Sequence, residues 1–180
     1  GKRVTTSDYA SANYYYVNKS SLPKVYGGFN TSLSWKGFDL SAIFAYSIGG
    51  YIYNRDITMI LHNGSLEGRD WSTEILRRWT PENRYTDVPA LSTTSNNWNS
   101  ASTRFLQNNS YMRLKNLTLS YNLPKQLISK LALSSVQVFV QGDNLFTVHR
   151  NQGLDPEQGI TGITYYRYPA MRTISGGINL

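Results

Sequence analysis

Cysteine is absent from the 180 residues and histidine occurs twice, at His62 and His149. The first absence excludes a disulfide framework and cysteine-based metal sites, and two histidines are too few to suggest zinc. Charge is scarce as well. Asp, Glu, Lys and Arg make up 16% of the chain, against about 25% in ordinary soluble domains. No apolar run approaches the roughly 18 residues of a membrane-spanning helix; Ala42 to Tyr46 is about the longest. Helical spans are thereby excluded. Strand spans stay open, because they need only about 9–11 alternating residues. The chain starts at Gly1, with no Met and no apolar leader, so no signal peptide is read from it. The short catalytic signatures G-x-S-x-G, the P-loop, G-x-G-x-x-G and H-E-x-x-H are also missing. Nothing here points to an enzyme, a cofactor or a metal.

What replaces charge is Ser, Thr, Asn, Gly and an abundance of tyrosine, with 14 Tyr beside 4 Trp and 6 Phe. That mixture suits strands with one apolar and one polar face. The strongest local signal begins at Phe29. Phe29, Thr31, Leu33 and Trp35 alternate with Asn30, Ser32 and Ser34, Lys36-Gly37 breaks the run, and Phe38, Leu40, Ala42, Phe44, Tyr46 and Ile48 resume it. Period 2 on both sides of a Gly-containing pair predicts a β-hairpin. A two-residue loop sets Trp35 opposite Phe38, Leu33 opposite Leu40, Thr31 opposite Ala42 and Phe29 opposite Phe44, all on one face. Lys at the first turn position leaves the turn type open.

Further strands are expected at about Phe105 to Tyr121, with a break near Asn108-Asn109, from Val136 to about Thr147, and at about Tyr168 to Leu180. Residues 1–24 read as loop with the possible end of an earlier strand, and 25–180 as the strand-rich remainder. Two long loops are expected, about 53–104 and 148–168. The first carries one helical piece, about Asp70 to Trp79, with Asp70 as its N-cap. A short helical turn is expected over Pro124 to Leu131.

Loop length gives a parity test. In an outer-membrane barrel the long loops are extracellular and the short turns periplasmic. With 53–104 outside, Lys36-Gly37 and 122–134 lie in the periplasm and 148–168 lies outside. Aromatic residues fall at the corresponding strand ends, so Trp35, Phe38, Tyr46, Tyr121 and Tyr168 are candidates for the lipid interface. Five strands cannot close a membrane barrel, whose smallest bacterial versions have about eight. The fold expected is all-β: an antiparallel transmembrane β-barrel segment, about five C-terminal strands of a larger barrel, with long extracellular loops.

Among candidate site residues, Trp98 stands in a Ser/Thr/Asn-rich stretch of the long loop, and Tyr165-Tyr166 in the second loop. These three are the candidates for contact with a ligand. Trp71 and Trp79 are expected to pack the short helix, and His62 and His149 to be solvated. Asp155 and Glu157, around Pro156, are expected to shape a loop. Strict alternation puts Arg113 and Lys115 on the face of Leu117 and Leu119, where they would meet lipopolysaccharide phosphates. The net charge of +7 is scattered, with no basic run longer than two, which speaks against nucleic acid.

Specific segments resemble the C-terminal part of SusC/RagA-family TonB-dependent transporters. They are Val25 to Ser41 (VYGGFNTSLSWKGFDLS) with Tyr46 to Gly50, Arg78 to Asn83 (RWTPEN) with Thr86 to Pro89, Ser110 to Tyr121 (SYMRLKNLTLSY) with Leu123-Pro124, Gly142 to Phe146 (GDNLF), and Gly153 to Glu157 (GLDPE). Their order covers nearly all of 23–180. The resemblance implies a plugged barrel of roughly 22 strands in the bacterial outer membrane, importing glycans or oligopeptides. It also implies a SusD-like surface lipoprotein as lid, TonB acting through parts absent here, and contact with outer-membrane lipid and lipopolysaccharide. The alternative from the residues alone is a soluble or surface β-sandwich glycan-binding module.

Overall fold

A computed structural model describes residues 6, 8–64, 66–92, 94, 97–129, 133–153, 155–157 and 159–180. The first residues of the expected N-terminal loop, the end of the Pro124–Leu131 turn, and Leu154 lie outside the described residues. In chain order the elements are β1 (Val25–Trp35), β2 (Phe38–Ile48), β3 (Tyr51–Asn54), α1 (Arg55–Ile60), β4 (Leu106–Asn108), β5 (Tyr111–Asn122), α2 (Lys125–Ile128), β6 (Gln137–His149), β7 (Ile163–Thr164) and β8 (Thr173–Asn179). The chain forms two compact units.

The larger unit is an antiparallel sheet in the order β1-β2-β5-β6-β8. The first hairpin has the expected register, with Trp35 opposite Phe38 and Phe29 opposite Phe44. Its turn residues Lys36 and Gly37 have φ of 47° and 88°. Positive φ at both central positions is the type I′ class, whose twist matches that of the strands. The last strand begins at Thr173 rather than near Tyr168, because Tyr168 and the residues after it stand outside the ladder.

Cross-strand register sorts the side chains by face. Phe29, Leu33, Trp35, Phe38, Leu40, Leu114, Leu117, Leu119, Val138, Val140, Phe146, Ile174 and Ile178 share one side. They are largely open: Leu33 is 66% exposed, Phe146 63% and Ile174 73%. Each side chain of this size gains about 1.5–3 kcal/mol when removed from water, so a face made of them requires a non-aqueous cover. The opposite face is polar and stitched by side-chain hydrogen bonds. Asn122 Nδ2 donates to Asp39 Oδ2 at 2.7 Å, Asn116 Nδ2 to Asp143 Oδ1 at 2.8 Å, and Gln137 Nε2 to Ser120 Oγ at 3.2 Å.

Two nested bulges interrupt the alternation. Between Ile43/Phe44 on β2 and Asn116/Leu114 on β5, Lys115 is the extra residue. At the same level β6 carries Asn144 and Leu145 against that single residue, and Asn144 takes a left-handed φ of 53°, a conformation asparagine tolerates. One extra residue moves everything beyond it to the other face. Arg113 therefore belongs to the polar face, and the expected contact with lipopolysaccharide on the apolar face does not survive.

The smaller unit holds residues 52–107 and 161–167 with the N-terminal segment, and is built on the sheet β4-β3-β7. These strands have three, four and two residues, far too little to cover strands of eleven to thirteen as a β-sandwich would require. Helix α1, absent from the sequence reading, starts because buried Asn54 accepts from Ile57 N–H at 3.1 Å as its N-cap. Leu61, Ile75 and Val88 pack with Ile57 into a small core. The expected helix at Asp70–Trp79 is instead a 3-10 turn, Thr73–Arg77, and Ser72, not Asp70, caps it through the Glu74 N–H. Among the described residues no helix is long and apolar enough to cross a membrane.

Candidate functional site

On the polar face of the large sheet, the β5 bulge aims Arg113 at the loop after β6. Its side chain is 3% exposed. Nη2 donates to Asp155 Oδ1 at 2.6 Å, Nη1 to Glu157 Oε2 at 2.8 Å and Nε to Thr147 Oγ1 at 3.0 Å. Lys115 Nζ reaches both oxygens of Glu157, at 2.9 and 2.8 Å. Asp155 also accepts from the backbone N–H groups of Glu157 and Ala170, at 2.8 and 2.7 Å. Burial opposes charge on Asp155, but those two N–H groups and the Arg113 guanidinium outweigh it and hold its carboxyl below the usual range. The segments SYMRLKNLTLSY and GLDPE are thus two halves of one ion cluster. It pins the loop, as expected for Asp155 and Glu157, through a partner that strict alternation had put on the wrong face.

In the smaller unit the chemistry is aromatic and cationic. The Tyr165 and Tyr166 rings are in contact, tilted by 49° with centroids 4.2 Å apart. The Arg55 guanidinium lies 4.8 Å from the Tyr165 centroid, Arg69 Nη1 donates to the Tyr166 hydroxyl at 3.2 Å, and Tyr166 N–H donates to Asp56 Oδ1 at 3.0 Å. Trp98 is engaged elsewhere: its Nε1 donates to Leu61 O at 2.8 Å and Arg104 covers its ring at 3.1 Å. Burial depresses the Arg104 pKa below its usual value, against the pull of Asp87.

A cavity of about 540 Å³ is lined by Tyr53, Arg55, Thr58, Met59, Leu66, Asn99, Ser100, Ala101 and Ile163. Asn99 Nδ2 donates to Thr58 O at 3.0 Å, while its Oδ1 is buried with no partner, a state costing about 1–3 kcal/mol. Burial raises the Tyr53 hydroxyl pKa, only partly offset by a hydrogen bond with Ser102 and the charge of Arg55. A second cavity, of about 500 Å³, shares Tyr53 and Ala101 and adds Tyr9, Tyr14 and Tyr15.

His62, expected to be solvated, is 1% exposed. Its Nδ1 accepts from Trp71 Nε1 at 3.1 Å and Gly64 N–H at 3.3 Å, which draws the ring inward. His149 is exposed, with Nδ1 2.9 Å from Asn151 O. Among the interface candidates, Trp35, Phe38 and Tyr121 come together at the type I′ turn, with Phe38 and Tyr121 rings 4.5 Å apart. Tyr46 lies over Gly27, and Tyr168 stands free at 98% exposure. Arg55 and Asn99 were not singled out from the sequence. The Asn54-Arg55-Asp56 cap pattern was the one signal that could have found Arg55.

No family model matches the chain. It is 34% identical over 164 residues to TonB-dependent receptor P3 of Formosa agariphila, covering 85% of this chain and 16% of that protein. It is 30% identical over 171 residues to TonB-dependent receptor P26 of the same organism, covering 89% and 17%. The chain thus spans about a sixth of the length of these curated relatives. Structures of the RagAB peptide importer in its closed-closed and open-open states superpose with TM-scores of 0.82 and 0.84, at 35% identity, over 97% of this chain and 19% of theirs. Motif order, sheet register and superposition converge on one assignment: this chain is a β-barrel segment of the SusC/RagA type of TonB-dependent receptors, proteins of the bacterial outer membrane.

Proposed function

We propose that this segment supplies barrel wall and extracellular loops to a TonB-dependent importer of oligopeptides or glycans. The observation that carries the reading is the inverted sheet, whose large apolar side chains are open on one face while the other is polar and cross-linked. Lipid covers the first face; the second lines a wet lumen. The relatives' names, receptors and a peptide importer, support transport rather than catalysis. In this reading the end carrying Lys36-Gly37 faces the periplasm. Trp35, Phe38 and Tyr121 sit at the inner lipid boundary, and Tyr46 and Tyr168 at the outer one. Tyr165 and Tyr166 are the candidates for ligand contact, and Trp98, engaged by Leu61 and Arg104, is the weaker one. A SusD-like surface lipoprotein and TonB are the partners, the latter through other parts of the receptor.

The test is native extraction of the full-length receptor. A detergent-dependent band that shifts on boiling, together with a co-purifying lipoprotein, supports the reading. A water-soluble species lacking heat-modifiable migration overturns it.

A further inference from the structure

We propose that the tyrosine-lined cavity beside the N-terminal segment is a subsite for a neutral sugar residue, held on the rings of Tyr14 and Tyr15. The inference rests on the importer reading above and, of its two ligand classes, selects the glycan.

The cavity, of about 500 Å³, lies wholly within the smaller unit, and small-ligand sites span about 300–1,000 Å³. Its two walls are joined. Tyr9 donates its hydroxyl proton to Ala101 O at 2.8 Å, which ties the segment carrying Tyr14 and Tyr15 to the opposite side. Asp8 caps the 3-10 turn Tyr9–Ser11 by accepting from Ala10 N–H at 3.0 Å. On the far wall Tyr53 stands edge-on to buried Phe105, with ring centroids 6.1 Å apart.

Three observations choose the occupant. Tyr9, Tyr14, Tyr15 and Tyr53 all line this one cavity, and Tyr14 and Tyr15 are exposed, so their rings are open to a ligand. Among the described residues no Asp, Glu, Lys, Arg or His lines it; a charged group entering would lose water without gaining a counter-charge. The Asn13 amide and the hydroxyls of Tyr14, Tyr15 and Thr103, also in the lining, have no hydrogen-bond partner among the described residues. These groups donate and accept. A neutral sugar residue matches all three observations, because it offers a C–H face to a ring and a rim of hydroxyls to the polar groups. An apolar peptide side chain would use the rings alone. Fixing a tyrosine on a ligand also costs little, since its side chain has two torsions.

The experiment applies the full-length receptor, in a detergent without a sugar headgroup, to an array of neutral oligosaccharides (glucans, mannans and xylans), oligogalacturonates and apolar tetrapeptides. Wild type should be retained on neutral oligosaccharides. For the best of them, Tyr14→Ala and Tyr15→Ala should each weaken binding about two- to tenfold, and Tyr14→Phe and Tyr15→Phe, which keep the ring, should lose less. Retention on oligogalacturonates or tetrapeptides alone overturns the subsite, as does no retention at all. Alanine variants that bind like wild type overturn it too, and so do phenylalanine variants that lose as much as alanine. If the receptor still extracts as a heat-modifiable membrane protein in those cases, only the subsite falls. If it extracts as a water-soluble species, the importer reading falls with it.

Discussion

In the five-stranded sheet the large apolar side chains are the exposed ones, and the buried ones include Arg113 and Ser120. In the loop-borne unit the order is conventional: Leu61, Ile75, Val88 and Phe105 are buried, and Arg69 and Tyr166 face out. One chain thus carries two opposite solutions to where oil and water lie. The sheet gets its order from its backbone ladder and a polar interior, and leaves its oily face to the surroundings. The loop unit, with a core of few residues, leans on capped turns and on single hydrogen bonds such as Ser72 N to Ile60 O at 2.7 Å and Trp79 N to Val88 O at 2.8 Å. Substitutions should therefore act on one unit through charge and on the other through volume.

The largest effect is expected at Arg113. Arg113→Met strands Asp155, whose side chain is 7% exposed, and removing one partner of a buried pair costs about 3–5 kcal/mol. Limited proteolysis of the full-length receptor should then cut within 150–162, a segment that should stay intact in wild type; an unchanged pattern would show that the cluster does not hold the loop. Acid sharpens the test. The folded carboxyl of Asp155 titrates below its ordinary value, so its contribution is complete above about pH 4 and fades only as pH falls through the lower folded value. The wild-type loop should resist protease equally at pH 7 and pH 5.

Ile75→Ala should come next, at about 2–5 kcal/mol for a cavity in a small core. The loss should stay local. Hydrogen exchange should quicken across 55–90 while the receptor's heat-modifiable migration keeps its wild-type temperature. A matching drop in that temperature would mean that the two units melt as one.

Neighbouring positions in mid-strand test the inversion directly. Phe29 stacks on Phe44 at 4.7 Å on the apolar face, and Asn30 points to the other. Phe29→Arg should destabilise folding into lipid vesicles by about 2–4 kcal/mol if the site is near the bilayer midplane. Asn30→Arg should cost under about 1 kcal/mol. Urea titration in vesicles reads both, and equal costs would contradict a lipid-facing side.

The hairpin register was legible in advance because period 2 and a two-residue turn leave one answer. Both bulges were not, since Lys115 and Asn144 look like ordinary members of an alternating run, and the face of Arg113 depends on them. In the loop unit the Trp98, Tyr165 and Tyr166 candidates carried a visible signal, aromatics in loop stretches, although Trp98 is half-buried under Arg104. Near Arg55 the one signal was the Asn54-Arg55-Asp56 cap pattern, and Asn99 carried none, because its unpartnered Oδ1 shows only among three-dimensional neighbours. Helix α1 escaped because six residues are too few for a helical period to register.

The smallest effect belongs to the turn that joins β1 to β2. Lys36 takes a φ of 47°, a left-handed conformation that costs a side-chain-bearing residue about 1–2 kcal/mol and asparagine less. Its ammonium lies 4.9 Å from the Trp35 ring centroid, an exposed cation–π contact that returns about 0.5–1 kcal/mol. Lys36→Asn removes both, so the net gain should stay below about 1 kcal/mol. Gly37 offers no such trade: at φ 88° a Cβ would also stand 3.2 Å from Asn122 O and from the Tyr121 ring. Gly37→Ala should therefore destabilise vesicle folding where Lys36→Asn slightly stabilises it. A loss from Lys36→Asn would mean that the Trp35 contact, and not the backbone of the type I′ turn, sets the energetics at this end of the sheet.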